Sequence, residues 1–159
     1  MSGQSYGRKA EQRFTDPRIK AAVAFSPSSP RAGDPKQAFS RVSVPWLLMT
    51  GTKDNSPIGG QGVESRLAVY PNLPAGIDRY ELVLKDAEHS AFTDRPLPGD
   101  KEKRNRNHAR AILAISTAFW DAHLRGEAGA REWLHGPDAR SVLEEGDRWQ
   151  LQAKTPRGE

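Results

Sequence analysis

Three short apolar segments, separated by segments of helical pattern, constrain the fold of this 159-residue chain more than any other feature. The apolar segments are residues 19–25, 44–50 and 80–85. Each is bounded by proline, glycine or polar loop residues, as is typical of buried strands. Residues 63–70, which end at Pro71, and residues 35–39 have helical patterns. Because strands that alternate with helices form parallel pairs through right-handed crossovers, the sequence predicts an α/β fold with about three parallel strands and flanking helices.

The C-terminal part of the chain predicts a long amphipathic helix. Within residues 105–124, apolar side chains recur at steps of three and four, and Gly126 fits the position of a C-terminal cap. His108 and His123 on this helix, and His135 after it, are expected to be solvated. Their spacing is not that of a metal site, so the sequence predicts no bound metal.

The chain is long enough for one compact domain with its own core. We expect residues 1–135 to form this domain and residues 136–159 to form an appendage, with a short helical segment before Gly146 and a frayed tail at residues 155–159. The net charge is +4, and the basic residues are mixed with acidic ones, except at residues 101–106. This cluster is typical of a solvated helix entry, and no aromatic side chains lie around it to stack on bases. Nucleic-acid binding is therefore only a weak alternative, and we expect no nucleic-acid partner.

The composition excludes several further classes. The chain has no cysteine, which excludes disulfides, thiolate zinc sites and a cysteine nucleophile. No stretch approaches the about 20 apolar residues of a membrane span, and the first residues lack the basic and apolar regions of a signal peptide. We expect no membrane partner and, by default, a cytoplasmic location.

Three polar residues have the order and placement of a catalytic set. Ser5 is the centre of Gly3-Gln4-Ser5-Tyr6-Gly7, which fits the GxSxG pattern that presents a nucleophilic serine. Asp54 follows the second apolar segment and His89 follows the third. Because the carboxyl ends of parallel strands meet at one edge of a sheet, we expect Asp54 and His89 to lie close together.

The chemistry explains why these residue types belong together. A serine hydroxyl is a poor nucleophile until an imidazole accepts its proton, and the imidazole needs a carboxylate to fix its tautomer and stabilise its charge. Taken singly, Ser5 fits a flexible glycine-flanked loop, Asp54 an acidic turn and His89 a surface loop. In the order Ser, Asp, His, and with the acid and the histidine after strands, they predict a catalytic triad.

Four segments together resemble a known family. The segments GQSYG, DPRIKAAVAFSPSSP, VPWLLMTGTKDNSP and AEHSAF strongly resemble the carboxyl-terminal half of α/β-hydrolases of the dienelactone-hydrolase-like kind, which include polyester-hydrolysing relatives. The resemblance covers about residues 3 to 135. It implies that Ser5 is the nucleophile, Asp54 the acid, His89 the general base, and the backbone N–H of Tyr6 one oxyanion donor. It also implies a small-molecule or polymeric ester as substrate, and no cofactor.

The chain also departs from that family. Gln4 stands where members typically have histidine, and Arg8 where they have a small residue. The resemblance further implies that the strands of the other half of the sheet, and a second oxyanion donor, would precede Met1. We therefore expect a partial hydrolase fold with weak or no activity as an isolated chain.

Other features leave alternatives open. In a partial fold the strand at residues 19–25 becomes an apolar edge, so a homodimer or a partner bound at this edge is expected. A non-catalytic remnant of the hydrolase fold that associates through this edge is accordingly the alternative function. Trp46 either lines a substrate pocket or packs in the core. Ser26, Ser28 and Ser29 either border the site or form a plain proline-broken loop.

Overall fold

In the part of the chain that the structure describes, the sheet has four strands. The computed structural model describes residues 16–56 and 59–154. The strands are β1 (Ala22–Phe25), β2 (Trp46–Gly51), β3 (Arg79–Leu84) and β4 (Arg148–Gln152). Their spatial order follows the chain. β1, β2 and β3 pair in parallel, whereas β4 pairs antiparallel with β3. The three predicted strands are confirmed, and the fold is broadly α/β, but its sheet is mixed and not wholly parallel.

β4 lies within the expected appendage at residues 136–159, and the sequence analysis did not predict this strand. A 3₁₀ turn at Pro137–Val142 is followed by this strand, whose side chains alternate between apolar and polar. Trp149 and Leu151 pack against the core on one face, as the period of two in a strand requires. The Trp149 Nε1–H donates to the carbonyl oxygen of Leu134 at 3.3 Å. An antiparallel edge strand with one buried face satisfies this pattern better than a helix does.

Short helices connect the first three strands. They are α1 (Pro35–Phe39), α2 (Val63–Leu67) and α3 (Val69–Asn72). Asp34 caps α1 by accepting a hydrogen bond from the backbone N–H of Lys36 at 2.9 Å. The sequence predicted one helix at residues 63–70 that stops at Pro71, but the helix divides at Ala68 and α3 includes Pro71. Proline is tolerated there because the first turn of a helix has no intrahelical partner for its backbone N–H.

The long C-terminal helix is confirmed as α4 (Arg106–Trp120). Asn105 caps it by accepting a hydrogen bond from the backbone N–H of Asn107 at 2.9 Å. A π-helical turn at Asp121–Arg125 extends it to Gly126, which has a φ of 74°. This left-handed conformation suits glycine and ends the helix as predicted. Helix α5 (Ala128–His135) then packs beside α4.

Apolar clusters cover both faces of the sheet. Leu47 and Met49 face the cluster that includes Ile115 and Phe119 of α4. Their neighbour Leu48 faces the opposite cluster, which contains α1 and α3. Trp46 lies in this second cluster, at the end of β2 remote from Asp54, and its ring packs edge-on against Phe39. This position agrees with the core-packing alternative for Trp46.

The expected solvation of two histidines was wrong. His108 is buried, and His123 on the π-helical turn is almost wholly enclosed. The buried Tyr80 hydroxyl lies 3.1 Å from His123 Nε2 and 2.9 Å from His135 Nε2. The rings of Tyr80 and Trp149 stack at a centroid distance of 5.9 Å. Helical periodicity could not reveal these partners, because Tyr80 and Trp149 come from strands distant in the sequence.

Burial of His123 predicts a loss of stability in acid. Burial lowers the pKa of His123 from 6.5 to about 4. The unfolded chain therefore binds a proton below pH 6.5 that the folded chain resists until about pH 4. The free energy of unfolding therefore has its full value above pH 6.5. Up to about 3 kcal/mol of it is lost as the pH falls through this window. Urea unfolding of the wild type and of His123→Phe, from pH 7 to pH 4.5, measures the difference. A pH dependence equally steep in both proteins would contradict the assignment.

Candidate active site

The loops that follow β2 and β3 leave the same edge of the sheet and lie against each other. The Thr52 backbone N–H donates to the carbonyl oxygen of Leu84 at 2.9 Å, and that of Lys53 donates to Ala87 at 3.1 Å. These hydrogen bonds continue the contact between the two strands beyond the last paired residues, Gly51 and Leu84. Asp54 and His89 lie just beyond this point, on neighbouring loops.

The structure brings Asp54 and His89 into contact. Asp54 Oδ1 lies 2.9 Å from His89 Nδ1. The hydroxyl of Thr50, in β2, donates to Asp54 Oδ2 at 2.8 Å. Asp54 is fully buried, whereas the His89 side chain is 34% exposed. Both carboxylate oxygens therefore have partners, and the imidazole lies between a buried acid and the surface.

This geometry fixes the tautomer of His89. An ionised carboxylate only accepts hydrogen bonds, so Nδ1 of the neutral imidazole carries the proton that is donated to Asp54. Nε2 then has a free lone pair, and none of residues 16–56 and 59–154 forms a hydrogen bond with it. An unprotonated nitrogen of this kind can accept a proton from a group placed beside it.

A cleft of about 580 Å³ opens beside His89. Its outer wall is the loop at residues 97–102. Glu88 holds this loop, because its carboxylate accepts from the backbone N–H groups of Lys101 and Glu102 at 2.9 and 3.1 Å. Lys53 Nζ lies 2.6 Å from Glu102 and 2.9 Å from Asp86. Lys53 and Glu88, which precede Asp54 and His89 in the sequence, thus attach a third loop to the site. The cleft is large enough for a small ligand.

The Lys53 ammonium is held by charge. Its hydrogen bonds to Glu102 and Asp86, in that order of effect, raise the pKa of Lys53 above its ordinary value. Lys53 therefore stays positively charged at neutral pH. This side chain is directed towards the loop at residues 97–102 and not towards Asp54.

Arg66 is among the residues of this site that sequence reasoning missed, as is Thr50. Arg66 has the more extensive contacts. It lies on α2, its side chain is 5% exposed, and its Nη2 is 3.8 Å from Asp54 Oδ1. It also donates to the carbonyl oxygen of Ser26 and to the hydroxyl of Ser28. In the sequence, Arg66 stands within a segment of helical and partly apolar pattern. That pattern does not by itself indicate that the arginine side chain is buried.

Ser5 and Tyr6 lie outside the residues that the structure describes, so their predicted roles stay predictions. In the described part of the chain, no group of three or more histidine, aspartate or glutamate side chains is arranged to hold a metal ion. Nor does any helix within that part combine the length and the apolar character needed to span a membrane. The described site therefore consists of the Asp54–His89 pair and its supporting residues.

Comparisons with known proteins add no assignment. No protein-family model matches this chain, and a search of curated proteins found no significant match.

Gly51 permits the close approach of the two site loops. A Cβ atom added at Gly51 would lie 2.0 Å from the carbonyl oxygen of Ala87, which no side chain can occupy without displacement of the backbone. We expect Gly51→Ala to push the His89 loop away from the Asp54 loop. It should lower the free energy of unfolding by about 1–3 kcal/mol, as overpacking does.

Urea unfolding of Gly51→Ala measures this cost. The matched control is Gly76→Ala, because a Cβ atom at Gly76 meets no atom within 4 Å. The control should unfold close to the wild-type midpoint. Equal midpoints for the two variants would contradict the close packing of the loops at Gly51.

Proposed function

We propose that this protein is a serine hydrolase of the α/β-hydrolase class that acts on carboxylic esters. The observation that carries the proposal is the 2.9 Å contact between the buried Asp54 carboxylate and His89 Nδ1, beside a cleft that His89 helps to line. This contact joins two residues that are 35 positions apart in the sequence. The order of Ser5, Asp54 and His89 along the chain supports the same class.

The reaction follows from the roles of the three residues. Ser5 Oγ attacks the ester carbonyl carbon while His89 Nε2 accepts the serine proton. The imidazolium that forms is stabilised by the ionised Asp54 carboxylate. The alcohol leaves with the proton from His89, and an acyl-serine remains. Water, activated by His89, then releases the carboxylic acid and regenerates Ser5.

Two further elements complete the proposed site. The backbone N–H of Tyr6 donates to the oxyanion of the tetrahedral intermediate, a contribution commonly equivalent to about 2.7–4 kcal/mol per donor. The cleft between His89 and the loop at residues 97–102 receives part of the ester. Small-molecule and polymeric esters both suit a cleft that is open to the surface. The reaction requires no cofactor.

Hydrolysis of p-nitrophenyl acetate tests the proposal. The wild type should hydrolyse the ester slowly, and Ser5→Ala and His89→Gln should reduce the rate to the background. Asp54→Asn should lower kcat by about two to four orders of magnitude, because the neutral amide no longer selects the required tautomer. His135→Gln is the matched control, since His135 contacts Tyr80 and not the site. A wild-type rate equal to that of Ser5→Ala would contradict the catalytic proposal.

A second candidate function is self-association through the edge of β1. In the described part of the chain, β1 pairs only with β2. Its sequence, AVAF, has no charged residue to block strand addition, and Phe25 is 48% exposed. Such an edge suits the same strand of a second copy, because identical edges related by a two-fold axis are self-complementary.

Sedimentation velocity at micromolar concentration tests this candidate. The wild type should contain a dimer, and Phe25→Lys should shift the population to monomer, because a lysine on the edge strand disfavours strand pairing. Leu113→Lys is the matched control, since Leu113 is 67% exposed on α4. A wild type that sediments as a monomer would contradict self-association through β1.

A further inference from the structure

Among the described residues, Arg66 is a buried cation that lies beside the Asp54–His89 pair. Its guanidinium is enclosed between the loop after β1 and the loop after β2. Nε donates to the carbonyl oxygen of Asp54 at 3.3 Å, and Nη2 lies 3.8 Å from Asp54 Oδ1. Nη1 donates to the carbonyl oxygen of Ser26 and to the hydroxyl of Ser28. A buried arginine is rarely retained unless its donors and its charge are both satisfied.

The charge of Asp54 explains why a cation is needed here. A fully buried carboxylate is costly unless a positive charge and hydrogen bonds compensate it. When His89 is neutral, as a general base must be, it donates a hydrogen bond but supplies no charge. Lys53, the neighbour of Asp54 in sequence, is directed to Asp86 and Glu102. Among the lysines and arginines in the described part of the chain, Arg66 alone lies within 4 Å of the Asp54 carboxylate.

The contacts of Arg66 also fix the direction of the carboxylate. Arg66 is near Oδ1, the same oxygen that accepts from His89, while Thr50 holds Oδ2. The additional hydrogen bond to the Asp54 carbonyl fixes the backbone of the acid loop. Rotation of the carboxylate away from His89 would therefore separate Oδ1 from Arg66 and Oδ2 from Thr50.

The helix that carries Arg66 is attached to the loop after β1. The Ser29 backbone N–H donates to the carbonyl oxygen of Ser65 at 2.9 Å, and the Ser65 hydroxyl lies 3.4 Å from the carbonyl oxygen of Ser29. Ser26 has a φ of 49°, a conformation that non-glycine residues rarely adopt. The hydrogen bond from Arg66 to its carbonyl oxygen helps to hold this turn. Arg66 thereby links the turn after β1 to the acid loop.

We propose that Arg66 is a positioning residue that holds the ionised Asp54 carboxylate against His89 and locks the loop after β1 to the acid loop. The effect on turnover rests on the proposed hydrolase function. The effect on the Asp54–His89 contact does not, and it is measurable without a substrate.

Arg66→Lys and Arg66→Met test the proposal, with Arg79→Lys as the matched control. Lysine keeps the charge but cannot reach all the partners of a guanidinium fork. Arg79 is also partly buried and donates to the carbonyl oxygens of Leu73 and Tyr70 at 2.7 and 3.3 Å, near the start of β3. Its replacement removes comparable hydrogen bonds at the opposite edge of the sheet.

The first readout is the proton NMR resonance of the His89 Nδ1–H. A proton held between Nδ1 and a buried carboxylate resonates far downfield and exchanges slowly. We expect this resonance to broaden or disappear in Arg66→Lys and to persist in Arg79→Lys. Arg66→Met, which also removes the charge, should lose it completely wherever the variant is folded. A resonance unchanged in Arg66→Lys overturns the proposal.

The second readout is the division of the kinetic effect between kcat and KM. For Arg66→Lys we expect kcat to fall about 10-fold to 100-fold, since a misplaced acid and base act on the chemical step. KM should change by less than roughly threefold, because Arg66 does not line the cleft. An unchanged kcat in Arg66→Lys overturns the proposal. If the wild type hydrolyses no ester, the hydrolase function fails, and the NMR comparison alone decides the role of Arg66.

Discussion

The parallel pairing of β2 with β3 is the constraint on which the site depends. Its register pairs Trp46 with Arg79 at one end and Gly51 with Leu84 at the other. Both strands therefore end at the same edge of the sheet, and backbone hydrogen bonds continue between the two loops that follow them. The contact between Asp54 and His89 follows from this register together with the absence of a side chain at Gly51.

Burial of a charged carboxylate links the site to the rest of the fold. Asp54 obtains its partners from three elements: Thr50 in β2, Arg66 in α2 and His89 in the loop after β3. Each partner offsets part of the cost of removing the charge from water. The loop at residues 97–102 is attached in turn through Glu88, the neighbour of His89. The residues that compensate the buried charge and the residues of the proposed reaction thus lie on the same few loops.

Much of this arrangement could be predicted from the sequence. Apolar runs with proline and glycine boundaries indicated β1, β2 and β3, and periodicity indicated α4 and its cap at Gly126. The proximity of Asp54 and His89 followed from their places after parallel strands. These inferences succeeded because each depended on local pattern and on one general rule of sheet topology.

The remaining features depend on contacts that no local pattern contains. β4 is a short edge strand whose alternation is carried mainly by Trp149, so the sequence did not predict it. The burial of Arg66 and of His123 depends on partners from other elements. The division between α2 and α3 is likewise a matter of packing. The roles of Ser5 and Tyr6 stay predictions, because the described structure does not include these residues.

The hydrogen bonds around Tyr80 restrict which nitrogen of each neighbouring histidine carries a proton. A phenol has one hydrogen to donate, yet its oxygen lies within hydrogen-bonding distance of Nε2 in both His123 and His135. When both imidazoles are neutral, Tyr80 donates to one Nε2 and accepts from the other. The two rings must then be opposite tautomers, one protonated at Nδ1 and the other at Nε2. A single phenolic hydrogen thus correlates the protonation patterns of the last turn of α5 and the π-helical turn that precedes it.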